Sequence, residues 1–98
     1  MDPYHKFTIN TNEQKLHLFD ERAQFLSDAY ANEWIETKRV INHYVDASSH
    51  KKVLILEEIL HLFECSDAKH LDLVAVVEND LRELVERIAT KYVEKLYD

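Results

Sequence analysis

The chain has 98 residues, of which 46% are hydrophobic and 32% charged, and its formal net charge is −7. This length fits one folded domain with a single core and leaves no room for a catalytic domain beside a regulatory one. The chain contains no glycine. Phosphate-cradling loops and dinucleotide fingerprints need glycine where the backbone approaches a phosphate, so nucleotide binding by those routes is excluded.

Cysteine content and hydropathy indicate the compartment. Cys65 is the only cysteine, and small secreted domains usually depend on several disulfides. The first residues do not form a basic segment followed by an apolar one, as an export signal would. The most apolar stretch, residues 53–63, is interrupted by charged residues and is shorter than the about 20 residues that span a bilayer. We therefore expect a cytoplasmic protein without a membrane partner.

The amino-terminal residues 1–10 differ in pattern from the rest of the chain. They are polar, hold the only proline and show a short alternation through Phe7 and Ile9, which predicts an extended arm, either flexible or docked. Thr11 and Gln14 have the spacing of a capping box, so a helix is predicted to begin there. The remaining residues, 11–98, are predicted to form a single helical domain.

Apolar residues then follow one another at spacings of seven and four, which predicts a helix over residues 12–45. A break near Ala31 and Asn32 would divide this segment into two helices, and the pattern leaves both alternatives open because neither residue is a strong helix breaker. The residues that carry the spacing are Phe19, Leu26, Tyr30, Trp34, Ile41 and Val45.

The second half of the chain predicts two further helices. Residues 46–49 favour a loop, and the helix that follows to about Glu64 is apolar on most sides, which is typical of a buried central helix. Ser66 and Asp67 repeat the capping signal, after which apolar residues spaced by threes and fours predict a long third helix to the end. The predicted fold is all-α: a small bundle of three helices, two long and one short and buried, which dimerisation could complete.

Two surfaces are candidates for binding other proteins. The aromatic residues Tyr30, Trp34 and Tyr44 lie close to one side of the first predicted helix, where they would form a docking strip if the third helix leaves them uncovered. Residues 57–98 contain eleven acidic and five basic side chains, against eight and seven in residues 1–56. Carboxylates on the last helix could therefore face a basic partner or imitate a phosphate backbone. These carboxylates are Asp80, Glu83 and Glu86.

One group of residues has metal-ligand spacing. Glu58 and His61 are three residues apart, as in di-iron bundles, and His61 and Cys65 are four apart, so that one helix face could present both to a metal. A di-iron site needs a second Glu-x-x-His motif, which this chain lacks, although a homodimer could supply it. The sequence offers no catalytic nucleophile in a strained turn, so we expect no catalytic residue and no cofactor.

These observations favour a non-enzymatic regulatory or adaptor protein, which binds a protein partner through its helix faces and is expected to be a homodimer. A net charge of −7 argues against direct nucleic-acid binding, which depends on basic side chains. One alternative is an acidic inhibitor, or mimic, that occupies a nucleic-acid-binding protein. The other is a metal-binding helical protein that uses Glu58 and His61.

Overall fold

The structure is a computed structural model that describes residues 11–45, 50–78 and 80–97. These residues contain five helices. The all-α prediction is confirmed, and the prediction of three helices is wrong, because both of the predicted long helices are divided. The predicted arm at 1–10 and loop at 46–49 lie outside the described residues. The helices are α1 Thr11–Ala23, α2 Asp28–Ile41, α3 His50–Ala68, α4 Leu73–Val77 and α5 Leu81–Tyr97.

The first break, between α1 and α2, separates what was predicted as one helix over 12–45. After Ala23 the backbone amides bond to carbonyls three residues back, which tightens and ends the helix. Ser27 then adopts an extended conformation, and its amide donates a 2.7 Å hydrogen bond to Asp67 Oδ2 on α3. Of the two alternatives left open for residues 12–45, the structure shows two helices, and Ala31 and Asn32, where the break was considered, lie inside α2.

The second break lies between α4 and α5, within the predicted third long helix. Helix α3 also continues through Ser66 and Asp67 to Ala68. The prediction that these two residues start a new helix is therefore wrong.

Glu78 ends α4 with φ of 66°, in the left-handed region that residues other than glycine seldom adopt. The helical conformation of α4 therefore ends at this residue.

His70 ends α3 in the same left-handed region, with φ of 58°. Its amide donates to the carbonyl of Asp67, and the amide of Leu71 donates to that of Ser66, which is the hydrogen-bond pattern of a Schellman motif. Glycine usually occupies this position because it has no Cβ. A chain without glycine here uses histidine instead.

The core is built around α3, which contacts α1, α2 and α5, while α2 also contacts α5. Its burial agrees with the predicted central helix, but the prediction that this helix is the short one is wrong, because α3, with 19 residues, is the longest of the described helices. Full burial of a large aliphatic or aromatic side chain contributes about 1.5–3 kcal/mol, so these residues dominate the stability of the fold. Those of α3 are Val53, Ile55, Leu56, Ile59, Leu60 and Phe63. No helix in the described residues has the length and hydropathy needed to cross a bilayer.

Asp20 links α1 to α2 by accepting hydrogen bonds from Trp34 Nε1 at 3.1 Å and from Lys38 Nζ at 2.8 Å. Partial burial acts to raise the pKa of Asp20, but the hydrogen bonds from Lys38 and Trp34 and the charge of Lys38 outweigh it, and the pKa is lowered. A lowered pKa in the folded state means that the ionised carboxylate stabilises the fold.

The stabilisation by Asp20 should be present above its unfolded pKa of about 3.9 and lost as the pH falls through the lower folded pKa. We expect Asp20→Asn to cost about 0.2–1 kcal/mol at neutral pH, since the ion pair is half exposed, and to reduce the loss of stability on acidification. Urea unfolding between pH 7 and 2 measures both effects. Glu13→Gln on the exposed face of α1 is the control, and equal acid sensitivity of wild type and Asp20→Asn would contradict the assignment.

The left-handed conformation at the end of α3 gives a second prediction. We expect His70→Gly to raise the free energy of unfolding by about 1 kcal/mol, because it removes the steric cost of a Cβ in this region. Ala68→Gly, inside the same helix, should lower it by a similar amount. Thermal unfolding followed by circular dichroism compares the two, and a lower melting temperature for His70→Gly would show that the position does not need glycine.

Candidate functional site

The predicted aromatic strip is mostly core. Tyr30 and Trp34 are each 2% exposed, and the Tyr30 ring packs against Phe63 with 5.6 Å between centroids. The hydroxyl of Tyr30 donates a 2.7 Å hydrogen bond to the carbonyl of Leu71. Tyr44 is 36% exposed, so only one of the three aromatic residues reaches the surface and they do not form an exposed strip on this chain.

Burial of Trp34 predicts that its removal damages the fold. We expect Trp34→Ala to lower the free energy of unfolding by about 3–5 kcal/mol, the usual cost of emptying a large aromatic site in a core. Ile35→Ala is the matched control, since the neighbouring Ile35 side chain is 58% exposed and its loss should cost little. Urea unfolding monitored by circular dichroism measures the difference, and equal stability of the two variants would contradict the core assignment.

The three predicted acidic residues are all exposed but do not form one cluster. Asp80 precedes α5, and its Oδ1 accepts a 3.0 Å hydrogen bond from the amide of Arg82, which satisfies a free donor of the first helical turn. Glu83 and Glu86 lie farther along the exposed side of α5. The structure therefore places Asp80 at the corner between α4 and α5, and the other two on the outer surface of α5.

The predicted metal-ligand residues have different surroundings. The carboxylate of Glu58 accepts hydrogen bonds from Lys91 Nζ at 2.7 Å and from the Tyr92 hydroxyl at 2.9 Å, and so joins α3 to α5. Burial, followed by the hydrogen bond to Glu58, raises the pKa of Tyr92. His61 and Cys65 are exposed, with 3.5 Å between Nε2 and Sγ. Among the described residues, no group of three or more His, Cys, Asp or Glu side chains could hold a metal ion.

The described residues also form a cleft of about 560 Å³ that sequence reasoning missed. It lies between α2, α4 and the start of α5, and we call it the α2–α5 cleft. Five of the side chains that line it are apolar, and one of them, Val74, is 74% exposed. The lining consists of Glu33, Glu36, Arg39, Val40, His43, Leu73, Val74, Val77, Glu78, Asp80, Leu81 and Arg82.

The α2–α5 cleft has a negative lining, with four carboxylates against two guanidinium groups. Glu36 pairs with Arg39, whereas Glu33 makes no ion pair with any residue that the structure describes. Burial, followed by repulsion from Glu36, raises the pKa of Glu33. A partly buried carboxylate next to another one is stabilised by a cation, and this chain does not place one beside it among the described residues.

Other large apolar side chains are exposed outside the cleft. Phe25 is 89% exposed and Leu18 54% exposed, both near the end of α1 or in the turn after it. They lie apart from the residues that line the α2–α5 cleft. Comparison of the chain with protein-family models, with curated proteins and with solved structures found no match.

Proposed function

We propose that this protein is a non-enzymatic interaction protein that binds a basic amphipathic segment of a partner protein in the α2–α5 cleft. The observation that carries the proposal is the partly buried carboxylate of Glu33, which makes no ion pair with a described residue and lines a cleft of mixed charged and apolar side chains. A lysine or arginine side chain of the partner would supply the cation that Glu33 lacks. Ion pairs in a partly desolvated groove give specificity and orientation to the bound segment.

Apolar contact supports the same partner. Val74 is exposed at the cleft, next to the buried Val77 and the half-buried Leu81. A volume of about 560 Å³ lies within the range of about 300–1,000 Å³ that is usual for ligand pockets. Amphipathic helices commonly bind by placing apolar side chains three or four residues apart in such a groove. We therefore infer a helical partner segment with apolar residues on one side and basic residues beside them.

Long-range charge supports a basic partner as well. The chain carries a net charge of −7, and Glu78 and Asp80 add two carboxylates to Glu33 and Glu36 in the lining of the cleft. Such a field attracts a basic partner during encounter and weakens as the salt concentration rises. A basic nucleic-acid-binding protein fits the same requirement, so the acidic-inhibitor alternative would use this surface too.

The test uses a synthetic amphipathic helix built from leucine and lysine as the probe, and a second peptide with glutamate in place of lysine. We expect the full chain to bind the lysine peptide and not the glutamate peptide in fluorescence anisotropy. Binding should weaken with added salt. Glu33→Gln should reduce affinity several-fold, because it removes the carboxylate that the partner cation pairs with, and Val74→Asp should reduce it more by placing a charge in the apolar contact.

The matched control is Glu13→Gln, which removes an exposed carboxylate from α1, outside the cleft. It removes one negative charge, as Glu33→Gln does, so it separates contact in the cleft from general attraction. If Glu13→Gln and Glu33→Gln weaken binding equally, or if Val74→Asp leaves it unchanged, the cleft is not the binding site. Circular dichroism of each variant confirms that the helices are retained.

A further inference from the structure

We propose that residues 1–10 of this chain bind along the α1 surface, by which we mean the exposed side of α1 and of the turn after it that carries Leu18 and Phe25. The contact lies outside the α2–α5 cleft, which neither of these two residues lines. The proposal is therefore independent of the function proposed above.

The α1 surface carries large apolar side chains that face water. Phe25 is 89% exposed and Leu18 is 54% exposed, and both line one hollow of about 380 Å³. Leu18 also lines a second hollow, beside His17, and Phe25 lines a third, beside His70. Since neighbouring hollows share these two side chains, the three form a continuous groove along α1. A contiguous apolar patch on a surface commonly marks a site of contact.

The described helices leave this groove open. Helix α1 contacts α3, and the residues that α1 contributes to the core are Phe19 and Ala23. Leu18 and Phe25 are not among the core residues or the partly buried residues packed against them. A segment that covers these two side chains therefore comes from outside the described residues.

The sequence places residues 1–10 at one end of the groove. They join α1 at Thr11, and Leu18 lies seven residues further on, about 10.5 Å along a helix that rises about 1.5 Å per residue. Phe7 is four residues before Thr11 and can reach about 13 Å at about 3.3 Å per extended residue. Phe7 can therefore reach Leu18 if the segment runs back along α1.

The same arithmetic brings a second aromatic residue to the far end of the groove. Helix α1 has 13 residues and is about 18 Å long, and Phe25 lies just beyond its end. Tyr4 is seven residues before Thr11 and can reach about 23 Å. Residues 1–10 are thus long enough to cover the whole groove, and Tyr4 and Phe7 supply the aromatic side chains that such a contact needs.

Charge agrees with this direction of the segment. Lys6 can reach about 16 Å from Thr11, and Glu21 lies about 15 Å along α1. The Glu21 side chain is 55% exposed and pairs with His17, which is charged only when it is protonated. A lysine beside Glu21 would form a surface ion pair, and such pairs contribute little to stability. The pair would orient the segment while the aromatic residues hold it.

A segment of the same chain has an advantage over a foreign one. Residues joined directly to α1 are kept near the groove at a high effective concentration, so a contact too weak for a separate molecule is sufficient for occupancy. The geometry therefore assigns the groove to residues 1–10, and not to a second copy or to another protein.

Hydroxyl-radical footprinting of the full chain, read by mass spectrometry, tests this contact. Each oxidation rate is divided by the rate of the same residue in the urea-unfolded chain. We expect Leu18 and Phe25 to be protected although their exposed fractions are high, whereas Ile35 of α2, which is 58% exposed, should be oxidised freely. The protection should be unchanged when the protein is diluted, because the contact is intramolecular.

Variants in the segment identify what covers the groove. Phe7→Asp should raise the oxidation of Leu18 several-fold, because it removes the apolar contact and places a charge against the groove, and Tyr4→Asp should do the same for Phe25. Thr8→Asp is the matched control, since it adds the same charge without removing an apolar side chain. Circular dichroism of each variant confirms that the helices are retained.

A double-mutant cycle in urea unfolding gives a second readout. The losses of stability from Phe7→Ala and Leu18→Ala should be non-additive, whereas those from Phe7→Ala and Ile35→Ala should add. Protection of Leu18 and Phe25 that disappears on dilution would assign the groove to a second copy. Oxidation of both at the rate of Ile35, unchanged by Phe7→Asp, would show an open groove. Either result would overturn the proposal.

Discussion

Burial of α3 on most of its sides is the constraint on which the rest of the structure depends. Ile55, Ile59, Leu60 and Phe63 have no exposed surface, and each contributes about 1.5–3 kcal/mol by leaving water. The three other long helices, α1, α2 and α5, all contact α3, and α2 also contacts α5. Polar links such as Arg22 with Glu64 set their positions at the edges but add much less to stability.

The cleft follows from how the chain leaves α3. Two residues in the left-handed region, His70 and Glu78, reverse the backbone before and after the short helix α4. A positive φ has a steric cost in a residue with a Cβ, and Val77, next to Glu78, packs in the core. Helix α4 consequently lies beside α2 with Val74 facing outward. The negative lining and the exposed apolar residue are both consequences of this turn.

The sequence pattern predicted the central helix correctly because its apolar residues face several directions. It did not predict the breaks, because apolar residues keep a spacing of four across both of them, from Leu26 to Tyr30 and from Val77 to Leu81. Residues 78–80, Glu-Asn-Asp, carry the only signal for the second break, since Asn and Asp favour turns. The sequence pattern allows the aromatic residues to lie in a core or at an interface. The tertiary contact of Tyr30 with Phe63 shows that Tyr30 lies in the core. The cleft depends on such contacts and was not predictable.

Amide hydrogen exchange on the whole protein tests the central role of α3 most directly. If the other helices depend on α3, the amides of residues 55–63 should exchange only through global unfolding, with a free energy equal to that measured by urea. The amides of α4, Leu73–Val77, should exchange much faster through local opening, because this helix has few buried residues. Exchange in α3 as fast as in α4, under conditions where the protein stays folded, would contradict the account.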